Sequence, residues 1–588
     1  MDLPSFLHHF QLSSSPKISC PSSPDDQRSC PPITEVLGQL QEKLIDAAGK
    51  ASNPEATDLI GRSEELFKKA NLHWLFSPDP TNQGDGQQNC GQWAELQKRY
   101  VGVVQSLCQC AALPVCETDS GSLPATSYQH IPARALSVCS ALSALLDSLV
   151  DWERRAETKK AETQGEREGV RERESPEGAA GCNGGLSRSG NETAVSSPCL
   201  QETGGEMELN SEAPVSLLHA VGPLCCVFAV THFQDQPWTS ATSREAAWSL
   251  MELLLQAGGW KDHVHLLTGE EKEVKSRRRR GMFGGIMDIL QPDLTRERWQ
   301  CCEAVKLVFS WALLQTSRPA LLPHLPRLLP PCLLLTDHHR PDNSLLGIRC
   351  LRHLLVNTPR ADLLQYNRAE VIYQALYKHL YTTDPPLVKV VLSCLLDLLS
   401  VLEKPPSLHH HPSPRKPCRH DDVLRLFLTY MEMEHKVALR RIYASALPKY
   451  IDRMGVAVSR HLRRMERVVV GYLEVGDPPE EQSRLWILEV LEKIICVAWP
   501  RMEGRVCILL RCLLRLLVDV SSDGQMRVSV RAELTRHACR CLTLLDCCTH
   551  GKLQPLLQQV DSSCASDSVL KCFATVTTAT AMSAHLEP

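Results

Sequence analysis

From Pro214 onward one pattern repeats. Apolar residues recur every third or fourth position, a proline, glycine or polar break intervenes, and the pattern resumes. That period lays an apolar stripe along one side of an α-helix, and the segments between breaks run to about 12 to 22 residues. The expected starts are legible. Thr242-Ser-Arg-Glu245 has the form of a capping box, and Gly258-Gly259 closes the helix it would open. Asp477-Pro-Pro-Glu480 reads as a second helix start. Prolines 319, 359, 385, 386, 448, 478, 479 and 500 read as punctuation, and residues 404–420 as a polar loop. No stretch alternates apolar and polar residues as a half-buried strand does. The expected fold is therefore all-α: an α-solenoid of irregular HEAT/armadillo-like helical repeats with a disordered internal linker.

Upstream the pattern weakens. Residues 1–32 are Ser/Pro-rich and read as disordered, and residues 33–153 as an N-terminal helical region. Residues 154–212 hold no aromatic and no isoleucine, and they include the run "GAAGCNGGLSRSGNETAVSS". They read as a disordered, charged linker that buries too little apolar surface to offset its ordering entropy. The solenoid then covers 213–551. Residues 552–588 form a C-terminal helical or frayed tail, whose Thr-rich "FATVTTATAM" reads as frayed rather than as a strand.

Composition narrows the function classes. The chain has 588 residues, 43% hydrophobic and 22% charged, with a net charge of −4. No global basic field drives nucleic-acid binding, so that partner class is disfavoured. None of the 26 cysteines is spaced C-x-x-C. Pairs such as Cys225–Cys226, and single residues such as Cys394, Cys496 and Cys512, read as small core hydrophobes in a reduced, cytoplasmic protein with a nuclear pool as a second compartment. No uninterrupted apolar run approaches about 18 residues, so no membrane span is expected.

Four features carry candidate chemistry. His409–His411, Cys418 and His420 supply metal-ligand atoms, but they sit in a proline-rich loop without regular spacing. The loop reads as solvated, with no metal assigned. "KSRRRR", 275–280, reads as a flexible basic loop. In "VAVSRHLRRMERVVVGYLEV" the arginines Arg460, Arg463, Arg464 and Arg467 fall at i, i+3, i+4 and i+7. Val458, Leu462, Met465, Val469 and Tyr472 would then face the core. The arginine stripe is a candidate partner contact for carboxylates or phosphates, weighed against a solvated face neutralised by Glu466 and Glu474. No nucleophile elbow, zinc-protease, phosphate-loop or kinase motif occurs, so neither catalytic residues nor a cofactor is assigned and no enzyme is expected.

"ADLLQYNRAEVIYQALYKHLY", 361–381, gathers four tyrosines. Asn367-Arg-Ala-Glu370 has capping-box form, which would pair Tyr366 with Val371 as a hydrophobic staple. Ala369, Ile372, Leu376 and Leu380 make the apolar seam. Tyr373 and Tyr377 flank it as candidate interface residues, each with a buried ring and a wetter hydroxyl.

That stretch, with "THFQDQPWTSATSREAA", "DDVLRLFLTYMEMEHKVALRRIYASALP" and "RHLRRMERVVVGYLEVGDPPEEQSRLWILEVLE", resembles the second Tel-two-interacting protein family, from about 214 to about 551. The resemblance implies a non-enzymatic helical-repeat subunit of the triple-T (TTT) complex. Its implied partners are Tel-two and the first Tel-two-interacting protein, with the ninety-kilodalton heat-shock chaperone and R2TP acting through them. The implied clients are phosphatidylinositol-3-kinase-related kinases of DNA-damage signalling and growth control. It also implies docking of the first Tel-two-interacting protein on helices between about Asp421 and Asp519. The alternative function is a nucleic-acid- or telomere-associated adaptor using residues 460–467.

Overall fold

The computed structural model describes residues 31–48, 54–76, 86–116, 123–171, 205–269, 281–406, 416–560 and 567–584. Every regular element among them is helical, and the chain divides into two compact units, Met1–Ala320 and Leu321–Pro588.

In the first unit α1 (Ile33–Ala48), α2 (Pro54–Lys69), α3 (Leu72–Phe76), α4 (Gly86–Cys110) and α5 (Ile131–Arg171) lead into α6 (Gly205–Thr231). Then follow α7 (Ala241–Gly258), α8 (His263–Thr268), α9 (Phe283–Leu290) and α10 (Glu303–Gln315). Pairing runs α1 with α4, α2 with α5, α4 with α6 and α5 with α7. The early helices thus share one body with the start of the later array. Phe76 stacks between Tyr100 and Trp152 at 5.8 and 4.8 Å, and the Tyr100 hydroxyl donates to Leu75 O at 2.7 Å. His232 is a core histidine. Burial holds its pKa down at about 4, and the ring packs 4.9 Å from Phe228.

The expected linker is helical at both ends, since α5 runs to Arg171 and α6 starts at Gly205; residues 172–204 lie outside the described residues. "RRAETKKAETQGERE" is poor in apolar residues but rich in good helix formers. It extends an existing helix and so needs no new nucleus. The 1–32 segment lies outside the described residues except for Pro31 and Pro32. The α7 cap is Ser240, not Thr242. Ser240 Oγ accepts from Ser243 N, and Ser243 Oγ accepts from Ser240 N. Gly259 closes the helix at φ 65°, as its sequence position implied.

The second unit contains α11 (Leu325–Thr336), α12 (Pro341–Asn357), α13 (Arg360–Leu364), α14 (Arg368–Tyr377), α15 (Pro385–Leu402), α16 (Arg419–Met433) and α17 (Val437–Met454). It continues with α18 (Leu462–Glu474), α19 (Gln482–Ala498), α20 (Val506–Ser522), α21 (Val528–Cys548), α22 (Gln554–Gln558) and α23 (Asp567–Ala584). Helices α12, α15, α17, α19, α21 and α23 succeed one another in one layer; α16, α18 and α20 succeed one another in a second, across the core from them. This is an all-α, two-layered solenoid arrangement of irregular helical repeats. In α20 the buried set Val506, Leu509, Leu510, Leu513, Leu516, Leu517 and Val520 follows the 3.6-residue period and fills the space between layers.

Ala125–Arg155 and Pro385–Leu402 are long and apolar enough to cross a membrane by length and composition. Within the fold α15 buries Leu387, Val388, Val391, Leu392, Leu395, Leu398 and Leu399 against its neighbours, the same signal a core helix gives.

Several local expectations are overturned here. Pro448 lies inside α17 and does not end it. The Thr-rich run, read as frayed, lies within helix α23. In α23 Val569, Cys572, Phe573 and Val576 are buried at i, i+3, i+4 and i+7 against α21, and that contact overrides the low helix propensity of threonine. Cys539 of α21 and Cys572 of α23 are joined by a disulfide, against the expectation that every cysteine is reduced. Cys394 and Cys512 are buried as expected, but Cys496 is exposed.

Candidate functional site

Of the sequence-selected features, three are placed by the second unit. The first is the tyrosine row. Asn367 adopts φ 56° and makes no side-chain cap bond, while Glu370 turns to Gln374 and Arg419, so the expected capping box is absent. The staple is absent too: Tyr366 is 78% exposed and Val371 also faces outward. The seam of Ala369, Ile372, Leu376 and Leu380 is buried as read. Tyr373 and Tyr377 stand 5.6 Å apart, Tyr381 lies 6.5 Å from Tyr377, and the row crosses to Tyr430 at 6.4 Å and on to Tyr443 at 6.5 Å. Sequence reasoning missed Tyr430 and Tyr443, because the step from 381 to 430 exists only where α16 passes the end of α14. Burial first, and Tyr377 second, push the Tyr373 phenol above its ordinary value; burial pushes Tyr443 up to about 12. Tyr373 and Tyr443 therefore stay protonated near neutrality. They offer ring faces and hydroxyl edges, with no base among them.

The second feature is the arginine stripe, which the structure splits. Residues Gly455–His461 form a 3₁₀ segment and the α-helix begins at Leu462, so Arg460 does not share one helical face with the rest. Val458, Leu462, Met465, Val469 and Tyr472 are all buried, as expected. Arg464 is committed inside the fold. It donates to Arg425 O at 3.0 Å, Thr429 Oγ1 at 2.9 Å and Glu432 Oε2 at 2.9 Å, which joins α18 to α16. Arg467 reaches the same Glu432 at 3.3 Å with most of its side chain in solvent. Arg463 is exposed and has no carboxylate partner among the described residues. Glu466 and Glu474 do not neutralise the stripe. Glu466 pairs with Arg505, and Glu474 lies 3.4 Å from Arg515. On α20, in contact with α18, Arg511 and Arg515 are exposed. The accessible basic surface is therefore Arg463 and Arg467 with Arg511 and Arg515, and Arg464 serves as a structural tie. Arg464→Ala is expected to cost about 1 kcal/mol, because its pairs are partly exposed. A thermal melt reads that as a fall of roughly 2–4 °C, and an unchanged melt places Arg464 among the solvated arginines.

The third feature is a polar centre where the 404–418 excursion rejoins the helices. His409–His411, like the 275–280 run, lie outside the described residues. Cys418 and His420 are placed and meet Glu403 from the end of α15. His420 Nδ1 donates to Glu403 Oε2 at 2.9 Å, and Cys418 Sγ donates to Asp421 Oδ2 at 3.3 Å. Asp421 Oδ1 lies 2.8 Å from His461 Nε2. Arg419 N donates to Glu403 Oε1, while its guanidinium pairs with Glu370 at 2.8 Å and covers Tyr373 at 5.5 Å from the ring centroid. Burial pushes the Glu403 carboxyl up. The His420 and Arg419 hydrogen bonds and the Arg419 charge outweigh burial, leaving it below the ordinary value. Nothing in the sequence flagged Glu403, which is fifteen positions from Cys418 and on the far side of the loop.

Fold and surface together define a class: a helical-repeat protein whose polar chemistry largely joins its own helices, with an exposed basic face and a tyrosine row. The Tti2 family matches residues 224–475. The human TELO2-interacting protein 2 is 44% identical over 60% of this chain and 68% of its own length. The rat protein of that name is 42% identical over 63% and 72%. The chain belongs to the Tti2 family. Among solved structures, the karyopherin Kap95p that engages RanGDP aligns at 11% identity and TM-score 0.39, over 92% of this chain and 62% of its own. Kap121p aligns at 10% and 0.36, over 91% and 47%. At those scores the likeness carries no functional weight.

Proposed function

We propose that this chain is a non-enzymatic scaffold subunit of the TTT complex. In this reading it binds the first Tel-two-interacting protein and Tel-two, and through them the ninety-kilodalton heat-shock chaperone and R2TP. The assembly keeps newly made phosphatidylinositol-3-kinase-related kinases in a chaperone-accessible state, in the cytoplasm with a nuclear pool. Membership of the Tti2 family is the observation that carries this reading. Two features of the chain support it. Its titratable clusters are tied to neighbouring helices, and α18 and α20 present exposed guanidiniums suited to carboxylates. The mechanism is mass action: each subunit stabilises the folded form of the others, so loss of one lowers the abundance of all and of the client kinases.

Affinity purification at physiological salt is expected to recover the other two subunits in near-stoichiometric amounts, and their absence overturns the proposal. Arg463→Glu with Arg467→Glu is expected to lower recovery of the first Tel-two-interacting protein about tenfold or more while the melting temperature stays unchanged. Unaltered recovery would show that the α18 arginines are merely solvated.

A further inference from the structure

The polar centre at the start of α16 goes beyond the scaffold role. Its donor atoms differ in kind from those of an ordinary helix cap. Cys418 Sγ, a His420 ring nitrogen and a Glu403 carboxylate oxygen lie within 4.8 Å of one another. Asp421 Oδ2 sits 3.3 Å from the same sulfur. His420 is 0% exposed, and its Nε2 meets no hydrogen-bond partner among the described residues. With Nδ1–H held by Glu403, Nε2 is a buried lone pair without a donor among the described residues, an arrangement that costs free energy and is uncommon. Cys418 and His420 flank the first turn of α16, and Glu403 closes the end of α15. The three donors therefore hold together the two ends of the 404–418 excursion.

We propose that Glu403, Cys418 and His420 form a structural zinc site, with Asp421 supplying the fourth ligand. The donor set selects the ion. A thiolate and an imidazole disfavour calcium and magnesium, whereas zinc takes S, N and O ligands in four-coordinate geometry. Zinc–ligand bonds of about 2.0–2.3 Å put tetrahedral donors roughly 3.4–3.8 Å apart. The Glu403, Cys418 and His420 atoms, within 4.8 Å of one another, would close to that spacing, and Asp421 would turn in from beside the Cys418 sulfur. Zinc would take the place of the thiol S–H donated to Asp421, whose proton leaves to solvent, and of the imidazole N–H shared with Glu403, whose proton moves to Nε2 so that the ring stays neutral; no redox step is involved. Two carboxylates and a thiolate exceed the charge of the ion by one, and the Arg419 guanidinium, 3.7 Å from Glu403 and paired with Glu370 at 2.8 Å, offsets it. His461, bonded to Asp421 at 2.8 Å, is the outer partner that fixes that carboxylate.

The test is metal analysis of the full chain, purified without a tag or chelator, loaded with zinc and desalted. About one zinc per chain is expected. Cys418→Ser and His420→Ala should each reduce it about tenfold, with circular dichroism confirming that the helices persist. The triple variant His409→Ala, His410→Ala, His411→Ala should keep its zinc. Cobalt loading should give a sulfur-to-cobalt charge-transfer band that Cys418→Ser removes. Less than about a tenth of an equivalent in the wild type overturns the proposal. So does zinc that disappears only in the triple-histidine variant, or a cobalt complex without the sulfur band.

Discussion

Leu376→Asp is expected to prevent the second unit from folding. Leu376 is 0% exposed and lies in the seam by which α14 packs on α15, with Ala369, Ile372 and Leu380 around it. Two costs combine. Removing the isobutyl group forfeits about 2–5 kcal/mol of burial and packing. An aspartate in that apolar seam is either a buried charge or a carboxyl forced to hold its proton, at several kcal/mol more. The total rivals the roughly 5–15 kcal/mol that holds a whole domain together. The variant should accumulate as insoluble protein or lack a cooperative melting transition. Tyr381→Asp is the control: five positions on, 59% exposed, it should melt within a degree or two of the wild type. A soluble Leu376→Asp with an ordinary melt removes α14 from the core.

Asp477→Ala should cost about 3 kcal/mol. The residue is 2% exposed and ties three pieces of chain. Its carboxylate accepts from Ser483 N at 3.1 Å and Ser483 Oγ at 3.0 Å at the start of α19, and from Arg441 Nε of α17 at 2.7 Å. Its own carbonyl takes a second Arg441 bond, and its N–H donates to Glu481 at 3.2 Å. Alanine leaves the buried Ser483 amide and hydroxyl unpartnered and Arg441 without its carboxylate. Arg441 is partly exposed and recovers some hydration, which keeps the figure at the low end of a broken buried pair. The melt should fall by roughly 5–10 °C. Asp477→Asn retains an acceptor for Ser483 and should lose about half as much. Equal losses for the two variants would show that the charge, not the helix-start bonds, carries the effect.

The reading of Asp477 shows how local rules succeed and drift. Its place near a helix start was legible from Asp477-Pro-Pro-Glu480, but α19 begins at Gln482, with Glu481 as its left-handed N-cap. Local competition between caps is decided by differences of about 1 kcal/mol, which tertiary contacts readily exceed. Ser240 prevailed over Thr242 in the same way, and Asn367 lost its cap role when Glu370 was drawn to Arg419. Apolar period was more durable. Val458, Leu462, Met465, Val469 and Tyr472 are buried although the backbone before Leu462 is 3₁₀.

What the sequence determined alone was the helical class, the buried faces, the lack of known catalytic motifs and the family. All of these rest on patterns within about twenty residues or on long identity, and burying an apolar stripe is favourable whichever helix covers it. What only the tertiary structure decided was where each polar side chain goes. Arg464 finds Glu432 thirty-two positions away, Tyr381 finds Tyr430, and His420 finds Glu403. A hydrogen bond requires one partner at one distance and direction, and that partner is fixed by which helices the packed layers bring together.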